Sequence, residues 1–186
     1  MADDKPKYHI IQGNIADYQG GAIVVPSWTN MSTSNAISHA ITTRLRQLRA
    51  NIEKFWPEPT DIRDSSERLP LYSAHLFESP QLPGVDACIL ATCYVDEGEQ
   101  DAPFSEKAAR TTANALKVAS EKGINSIAFP TLMTGYGGGS LDEIIPSMIS
   151  EFNSHLRNGQ SPSDIALYVF GNEAYQKTLK LAQQVK

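Results

Sequence analysis

Short apolar runs alternate with amphipathic segments along most of this 186-residue chain. Some runs, such as Ala22–Val25, are apolar at every position, which is typical of strands that are covered on both faces. The predicted strands are residues 8–12, 22–25, 72–77, 86–95, 124–129 and 165–170. Strands separated by helices favour parallel pairing. The pattern therefore predicts an α/β fold in which helices cover both faces of a mostly parallel sheet.

Four amphipathic segments are predicted to be helices, and polar residues mark their starts. The predicted N-cap residues are Ser34, Ser105, Ser140 and Asn172, and Ser140 forms a capping-box pattern with Glu143. Pro26 is expected to end the second strand, and Pro146 either kinks the third helix or marks a later start. No repeat or linker interrupts the pattern, so we expect one domain over residues 1–186.

Composition narrows the class of function. The net charge of −5 disfavours a binder of duplex nucleic acid, which normally carries a basic stripe. It does not exclude a phosphate pocket, because backbone N–H groups bind phosphates without adding charge. We expect a cytoplasmic protein with no membrane partner, since no stretch is long and apolar enough to span a bilayer. Cys88 and Cys93 lie an odd number of residues apart on one predicted strand, so they are expected to be free thiols on opposite faces.

A glycine-rich segment follows the predicted strand that ends at Phe129. Residues 130–139 carry four glycines and lead directly into the capping box at Ser140. A glycine loop between a strand and a helix lets backbone N–H groups approach an anion. The segment is neither a Walker A loop nor a GxGxxG fingerprint, which disfavours a nicotinamide-dependent oxidoreductase. No metal-ligand spacing and no Gly-x-Ser-x-Gly elbow occur, so neither a metal site nor a cofactor is predicted.

Residues 127–139 resemble the phosphate-loop signature of the macrodomain family, in which Ile-Ala-Phe-Pro leads to a Ser/Thr-Gly-x-x-Gly turn. Gln12–Ile15 is similar to the Gly-Asp-Ile of the family, and residues 21–24 to its Asp-Ala-Ile-Val strand. Weaker similarities follow in the family's order at residues 82–83, 89–92 and 169–175. The resemblance implies a three-layer α/β/α fold with a mixed sheet of about six strands, and ADP-ribose or a related nucleotide as the ligand.

The same resemblance assigns ligand-binding residues. It places the diphosphate on Thr134, Gly135, Tyr136 and Gly137. It places the adenine against Asn14 and the backbone of Ile15, with stacking near Phe170. The alternative for Phe170 is a core residue at a strand end. Trp28 either covers the distal ribose or packs under the following loop.

Two departures from the family pattern affect the expected function. Asn14 stands where the family has Asp, which weakens or changes the expected adenine preference. Residues 25–28, Val-Pro-Ser-Trp, replace the Asn-Ala-Ala-Asn segment of the family's hydrolases, and Asn30 is the best substitute for positioning a water. His39 and His75 are further candidate bases, each with a structural or surface role as the alternative. The sequence favours a binding module for ADP-ribose, with ADP-ribosylated protein as a partner. The alternatives are a hydrolase that removes ADP-ribose or phosphate and, disfavoured by the charge, an RNA-contacting relative.

Overall fold

The computed structural model describes residues 7–29, 35–47, 69–78, 82–94, 102–135 and 137–185. The strands are β1 (Lys7–Gln12), β2 (Gly20–Trp28), β3 (Ala74–Glu78), β4 (Val85–Tyr94), β5 (Ser126–Pro130) and β6 (Asp164–Val169). The helices described are α1 (Ala36–Gln47), α2 (Phe104–Glu121), α3 (Leu141–Arg157) and α4 (Asn172–Ala182), with a short 3₁₀ helix at Ile15–Asp17. The strands form one sheet in the order β1-β6-β5-β2-β4-β3. All neighbours are parallel except β3, which runs antiparallel to β4.

The sheet carries an apolar core on each face. Along β2, Ala22 and Val24 belong to the core packed by α2, α3 and α4, whereas Ile23 and Val25 belong to the core packed by the 3₁₀ helix and α1. Consecutive residues of a strand point to opposite faces, so a run that is apolar throughout supplies both cores. This confirms the predicted three-layer α/β/α fold with a mixed, mostly parallel sheet of six strands.

Local hydrogen bonds confirm one predicted helix start and correct two others. Ser140 and Glu143 form the predicted capping box at the start of α3. Ser105 lies inside α2, whose N-cap position is Pro103, and Asn172 is the first residue of α4 after Gly171. Neither N-cap residue makes a side-chain cap, so no polar side chain determines where these two helices begin.

Asn35 caps α1. Its Oδ1 accepts from the Ser38 N–H at 2.9 Å, and its Nδ2 donates to the Pro26 carbonyl oxygen at 2.7 Å. Ser34, the predicted cap, lies outside the described residues. One amide therefore fixes the start of α1 against the end of β2.

Two prolines do not end the elements that contain them. β2 continues past Pro26 to Trp28, and α3 contains Pro146. β5 pairs with β2 only at Ala22 and Ile23, so the missing N–H of Pro26 lies beyond that pairing. β3 starts two residues later than predicted, because Tyr72 has a φ of 65° and cannot belong to an extended strand.

Both cysteines are free, buried and on opposite faces of β4, as predicted. Cys88 belongs to the core under α1, and Cys93 to the core on the other face. Burial raises the pKa of each thiol to about 12, so both remain protonated at neutral pH. Among the described helices, none has the length and apolar character that crossing a membrane requires.

Candidate functional site

The predicted ligand-binding residues that the structure describes lie where four adjacent parallel strands end. Asn14 follows β1, Phe170 follows β6, Thr134 and Gly135 follow β5, and Trp28 is the last residue of β2. These strands are consecutive in the sheet, so they span three inter-strand spacings, or about 14 Å. The carboxyl edge of an open α/β sheet is where such folds bind ligands. The sheet therefore places these four segments along one edge.

At one end of this edge, the residues after β1 and β6 are neighbours. The Gly13 N–H donates to the Val169 carbonyl oxygen at 3.1 Å, which continues the ladder by one residue. Phe170 is the next residue after β6, and the residue is 83% exposed. An aromatic ring this exposed is not a core residue, so the structural alternative for Phe170 is wrong. The ring is an apolar surface open to a ligand.

Asn14 and Ile15 present different groups at this end. The Asn14 Oδ1 accepts from the Ala16 N–H at 3.0 Å, which caps the 3₁₀ helix. Ile15 as a whole residue is 3% exposed, and its side chain packs in the core under α1. The Ile15 carbonyl oxygen accepts from the Tyr18 N–H at 3.0 Å, and contact of the Ile15 backbone with a ligand stays a prediction.

The glycine-rich loop after β5 has a defined backbone. Met133 has a φ of 56°, a left-handed conformation that is uncommon outside glycine. The Gly139 N–H donates to the Met133 carbonyl oxygen, and the Gly138 N–H to that of Gly135, both at 3.1 Å. The Thr134 Oγ1 lies 2.8 Å from the Thr131 Oγ1 and donates to the Thr131 carbonyl oxygen at 3.1 Å. These bonds hold the loop in a turn before α3 begins.

Two glycines of this loop have opposite surroundings. A Cβ built on Gly137 would lie 2.5 Å from the Met133 carbonyl oxygen, closer than real contacts allow. A Cβ built on Gly135 would meet no described residue within 4 Å apart from its chain neighbours. Gly137 is therefore required by the loop itself, whereas Gly135 has open space where its side chain would be. Tyr136 lies outside the described residues.

At the other end of the edge, Trp28 packs on Tyr94. The two ring centroids are 5.2 Å apart at an interplanar angle of 40°. Burial raises the pKa of Tyr94, and the nearby backbone of Met133 lowers it in part. Tyr94 therefore lies at the end of β4 beside the glycine-rich loop. Sequence reasoning missed this residue, because its position at the end of an apolar run gave no sign of a cross-strand partner.

The end of β2 holds two buried hydroxyls instead of the amides of the family's hydrolases. Ser27 is fully buried and Thr29 is 4% exposed, and neither hydroxyl has a hydrogen-bond partner among the described residues. Neither is a base at neutral pH. Asn30, the predicted substitute, lies outside the described residues.

His75 is not isolated. Its Nε2 lies 3.0 Å from the Ser73 Oγ, which lies 3.0 Å from the Thr92 Oγ1. The Thr92 hydroxyl in turn donates to the Pro70 carbonyl oxygen at 2.7 Å. Burial lowers the pKa of His75, so the imidazole is neutral at pH 7. His39, the other candidate base, is exposed on α1. Within the described segments, no three His, Cys, Asp or Glu side chains are grouped as metal ligands.

Comparisons with known proteins give relatives in sequence and in fold. An uncharacterized protein of Pyrococcus furiosus is 30% identical over 87 residues, which cover 47% of this chain and 48% of that protein. The match thus spans about half the length of that relative. The macrodomain of Oceanobacillus iheyensis with ADP superposes with a TM-score of 0.74 at 21% identity, covering 95% of this chain and 92% of the other. A single-residue mutant of that macrodomain with ADPR gives a TM-score of 0.69 at 19% identity, covering 95% and 94%.

The two solved structures establish the same fold. The family model for the Macro domain matches residues 49–148, which is more than half of the chain. The chain therefore belongs to the Macro domain family.

Proposed function

We propose that this chain binds ADP-ribose or a closely related nucleotide diphosphate, as a reader or sensor module. The observation that carries the proposal is the arrangement along the sheet edge: an exposed aromatic ring at one end, a glycine loop in the middle and an aromatic pair at the other end. An extended ligand with a base, two phosphates and a second sugar matches this order. The solved O. iheyensis macrodomain structures with ADP and with ADPR support it.

The base end of the proposed site consists of Phe170 and Asn14. Stacking of a base on an exposed aromatic ring is worth about 1–3 kcal/mol. Phe170 offers such a ring without any rearrangement, because it is already 83% exposed. Asn14 and the backbone of Ile15 lie on the neighbouring strand end, where they would contact the edge of the base.

The glycine-rich loop is the proposed diphosphate site. Thr134, Gly135, Tyr136 and Gly137 would surround the phosphates with backbone N–H groups. Gly135 supplies an open approach, since among the described residues none but its chain neighbours lies within 4 Å of where its Cβ would be. The chain is acidic overall, which by itself disfavours an anionic ligand. A site made of neutral backbone N–H donors binds an anion without positively charged side chains.

We further propose that binding is not followed by efficient hydrolysis. Removing a group at the distal ribose needs a base or a well-placed water. Ser27 and Thr29 are buried hydroxyls with no partner among the described residues, and Trp28 is packed on Tyr94. The chain would act as one domain on free nucleotide or on ADP-ribosylated protein. Two buried free thiols fit the reducing cytoplasm.

Titration calorimetry against ADP-ribose, ADP, NAD and AMP tests the binding proposal. We expect ADP-ribose to bind with a Kd of about 1 μM, or roughly −8 kcal/mol. Gly135→Glu places a carboxylate against the diphosphate and should abolish binding, while the open space at Gly135 lets the fold survive. Gly135→Gln is the matched control, with the same size and no charge, and should retain most of the affinity. Undiminished binding by folded Gly135→Glu would refute this site.

The alternative function is a hydrolase, and the Ser73–His75 hydrogen bond gives it a neutral imidazole near the same sheet edge. Incubation of a mono-ADP-ribosylated protein with a stoichiometric amount of this chain measures release of the label. We expect little or no release. Release comparable to that of an active macrodomain hydrolase, and lost in Asn30→Ala or His75→Gln, would establish the alternative instead.

A further inference from the structure

A second cavity lies between α2 and α3, at the opposite edge of the sheet from the proposed nucleotide site. α2 ends at Glu121 and α3 at Arg157, and the strands that follow them, β5 and β6, both start at that edge. The cavity has a volume of about 350 Å³, which lies at the lower end of the range for small-molecule sites. Its lining includes Lys117, Ser120 and Glu121 of α2 and Glu151, Ser154 and His155 of α3.

The charges around the cavity leave one carboxylate without a counter-ion. The Lys117 Nζ lies 3.9 Å from the Glu121 Oε1, so these two opposite charges face each other. Glu151 has no ion-pair partner among the described residues, and burial raises the pKa of its carboxyl group. Both helices also end beside the cavity, and the C-terminal end of a helix carries partial negative charge. The cavity therefore favours a cation.

His155 gives a second, independent indication of a ligand. The residue is 7% exposed, and its Nε2 is buried with no hydrogen-bond partner among the described residues. Burial lowers the pKa of His155, so the ring is neutral at pH 7, and the nearby backbone of residues 160–162 opposes this shift. A backbone that stabilises the protonated ring presents carbonyl oxygens to it, and these accept from an N–H. Because Nε2 has no partner, that N–H is on Nδ1, and Nε2 is left as a buried acceptor without a donor.

The lining also narrows the kind of cation. Within the described segments, no three His, Cys, Asp or Glu side chains are grouped to hold a metal ion. Apart from the imidazole of His155, the described side chains that line the cavity are not aromatic, whereas a fully methylated ammonium group is bound by aromatic faces. A primary ammonium group has three N–H donors, which suit both the Glu151 carboxylate and the His155 Nε2.

We propose that this cavity binds a small organic molecule that carries a primary ammonium group. Glu151 and His155 are four residues apart on α3, so their side chains lie on one face of the helix. The Glu151 carboxylate would supply the counter-charge, and the His155 Nε2 would accept one N–H. The hydroxyls of Ser120 and Ser154 would meet a polar group elsewhere on the same molecule. The inference does not depend on the proposed function, because the two sites lie at opposite edges of the sheet.

NMR titration of the full chain with putrescine, a diamine, tests the proposal. The backbone amide signals of Ser120, Ser154 and His155 should shift saturably, and so should the ring nitrogen signal of the His155 Nε2. The diol of the same chain length lacks the charge, and tetramethylammonium has the charge without N–H donors. Neither of these two compounds should shift the same signals saturably.

Glu151→Gln is the informative variant, because it keeps the size of the side chain and removes its charge. Putrescine should bind this variant at least about tenfold more weakly, since the ammonium group loses its counter-ion. Glu173→Gln on α4 is the matched control, because Glu173 is exposed and is not among the residues that line the cavity. The control should bind putrescine as the unaltered chain does, and thermal unfolding checks that both variants are folded.

Several results would overturn the proposal. Putrescine could give no saturable shift at the cavity, or the diol could bind as tightly as putrescine. Unchanged binding by folded Glu151→Gln would exclude this carboxylate as the counter-ion and the site with it. Tetramethylammonium binding as tightly as putrescine would overturn the assignment of a primary amine. If Glu151→Gln does not fold, the comparison of the three compounds on the unaltered chain decides.

Discussion

Replacing Phe170 with alanine tests the base end of the site without disturbing the core. The ring is 83% exposed, so its removal should change the free energy of unfolding by no more than about 0.5 kcal/mol. If a base stacks on this ring, the loss is about 1–3 kcal/mol of binding free energy. Since each 1.4 kcal/mol is tenfold, the Kd should rise by roughly 5- to 140-fold.

Calorimetry measures this change, with thermal unfolding of the same samples as the check on the fold. Phe170→Tyr keeps an aromatic face and is the matched control, so it should bind within about twofold of the unaltered chain. Both variants are titrated with the nucleoside diphosphate that binds most tightly. Equal affinity of Phe170→Ala and the unaltered chain would refute stacking at this position, and the exposed ring would then need another explanation.

Two further predictions concern the loop and the buried His155. Gly137→Ala should lower the free energy of unfolding by about 1–3 kcal/mol, because its Cβ would lie 2.5 Å from the Met133 carbonyl oxygen. Gly135→Ala is the control and should be nearly neutral. Urea unfolding compares the two variants, and equal stabilities would contradict the loop geometry. Burial lowers the pKa of His155 below its ordinary value of 6.5, so the unfolded chain takes up the proton first and stability should fall as the pH drops below 6.5. Unfolding midpoints between pH 5 and 8 should fall less steeply in His155→Gln, and an unchanged slope would show that other groups dominate.

The sheet could be predicted from sequence because its signals are local. Runs such as Ala22–Val25 are apolar at every position, which indicates burial on both faces wherever the run lies in the fold. The capping box at Ser140 needs only residues 140–143. The errors arose where the determining contact is distant. Pro26 was expected to end β2. Whether it does depends on how far β5 pairs along β2, and no local sequence pattern indicates the extent of that pairing.

Some parts of the candidate site could likewise be predicted from the sequence and others could not. The glycine-rich loop and Asn14 carry motifs, and the structure places them along one sheet edge. The exposure of Phe170 could not be decided from sequence, because it depends on which distant segments cover the end of β6. Tyr94 and the Ser73–His75 pair were missed, since the first needs the position of Met133 and the second needs the bend at Tyr72.

The two buried cysteines have a practical consequence for measuring ligand binding. A maleimide dye reacts with thiolates, and both native thiols are enclosed in the core with a pKa of about 12. A single cysteine introduced at an exposed position, such as Lys117→Cys on α2, can therefore carry a fluorophore while Cys88 and Cys93 stay unmodified. Site-specific labelling normally requires that the native cysteines be replaced first, and this chain does not need that step. Fluorescence anisotropy of the labelled protein would then follow its binding to an ADP-ribosylated protein.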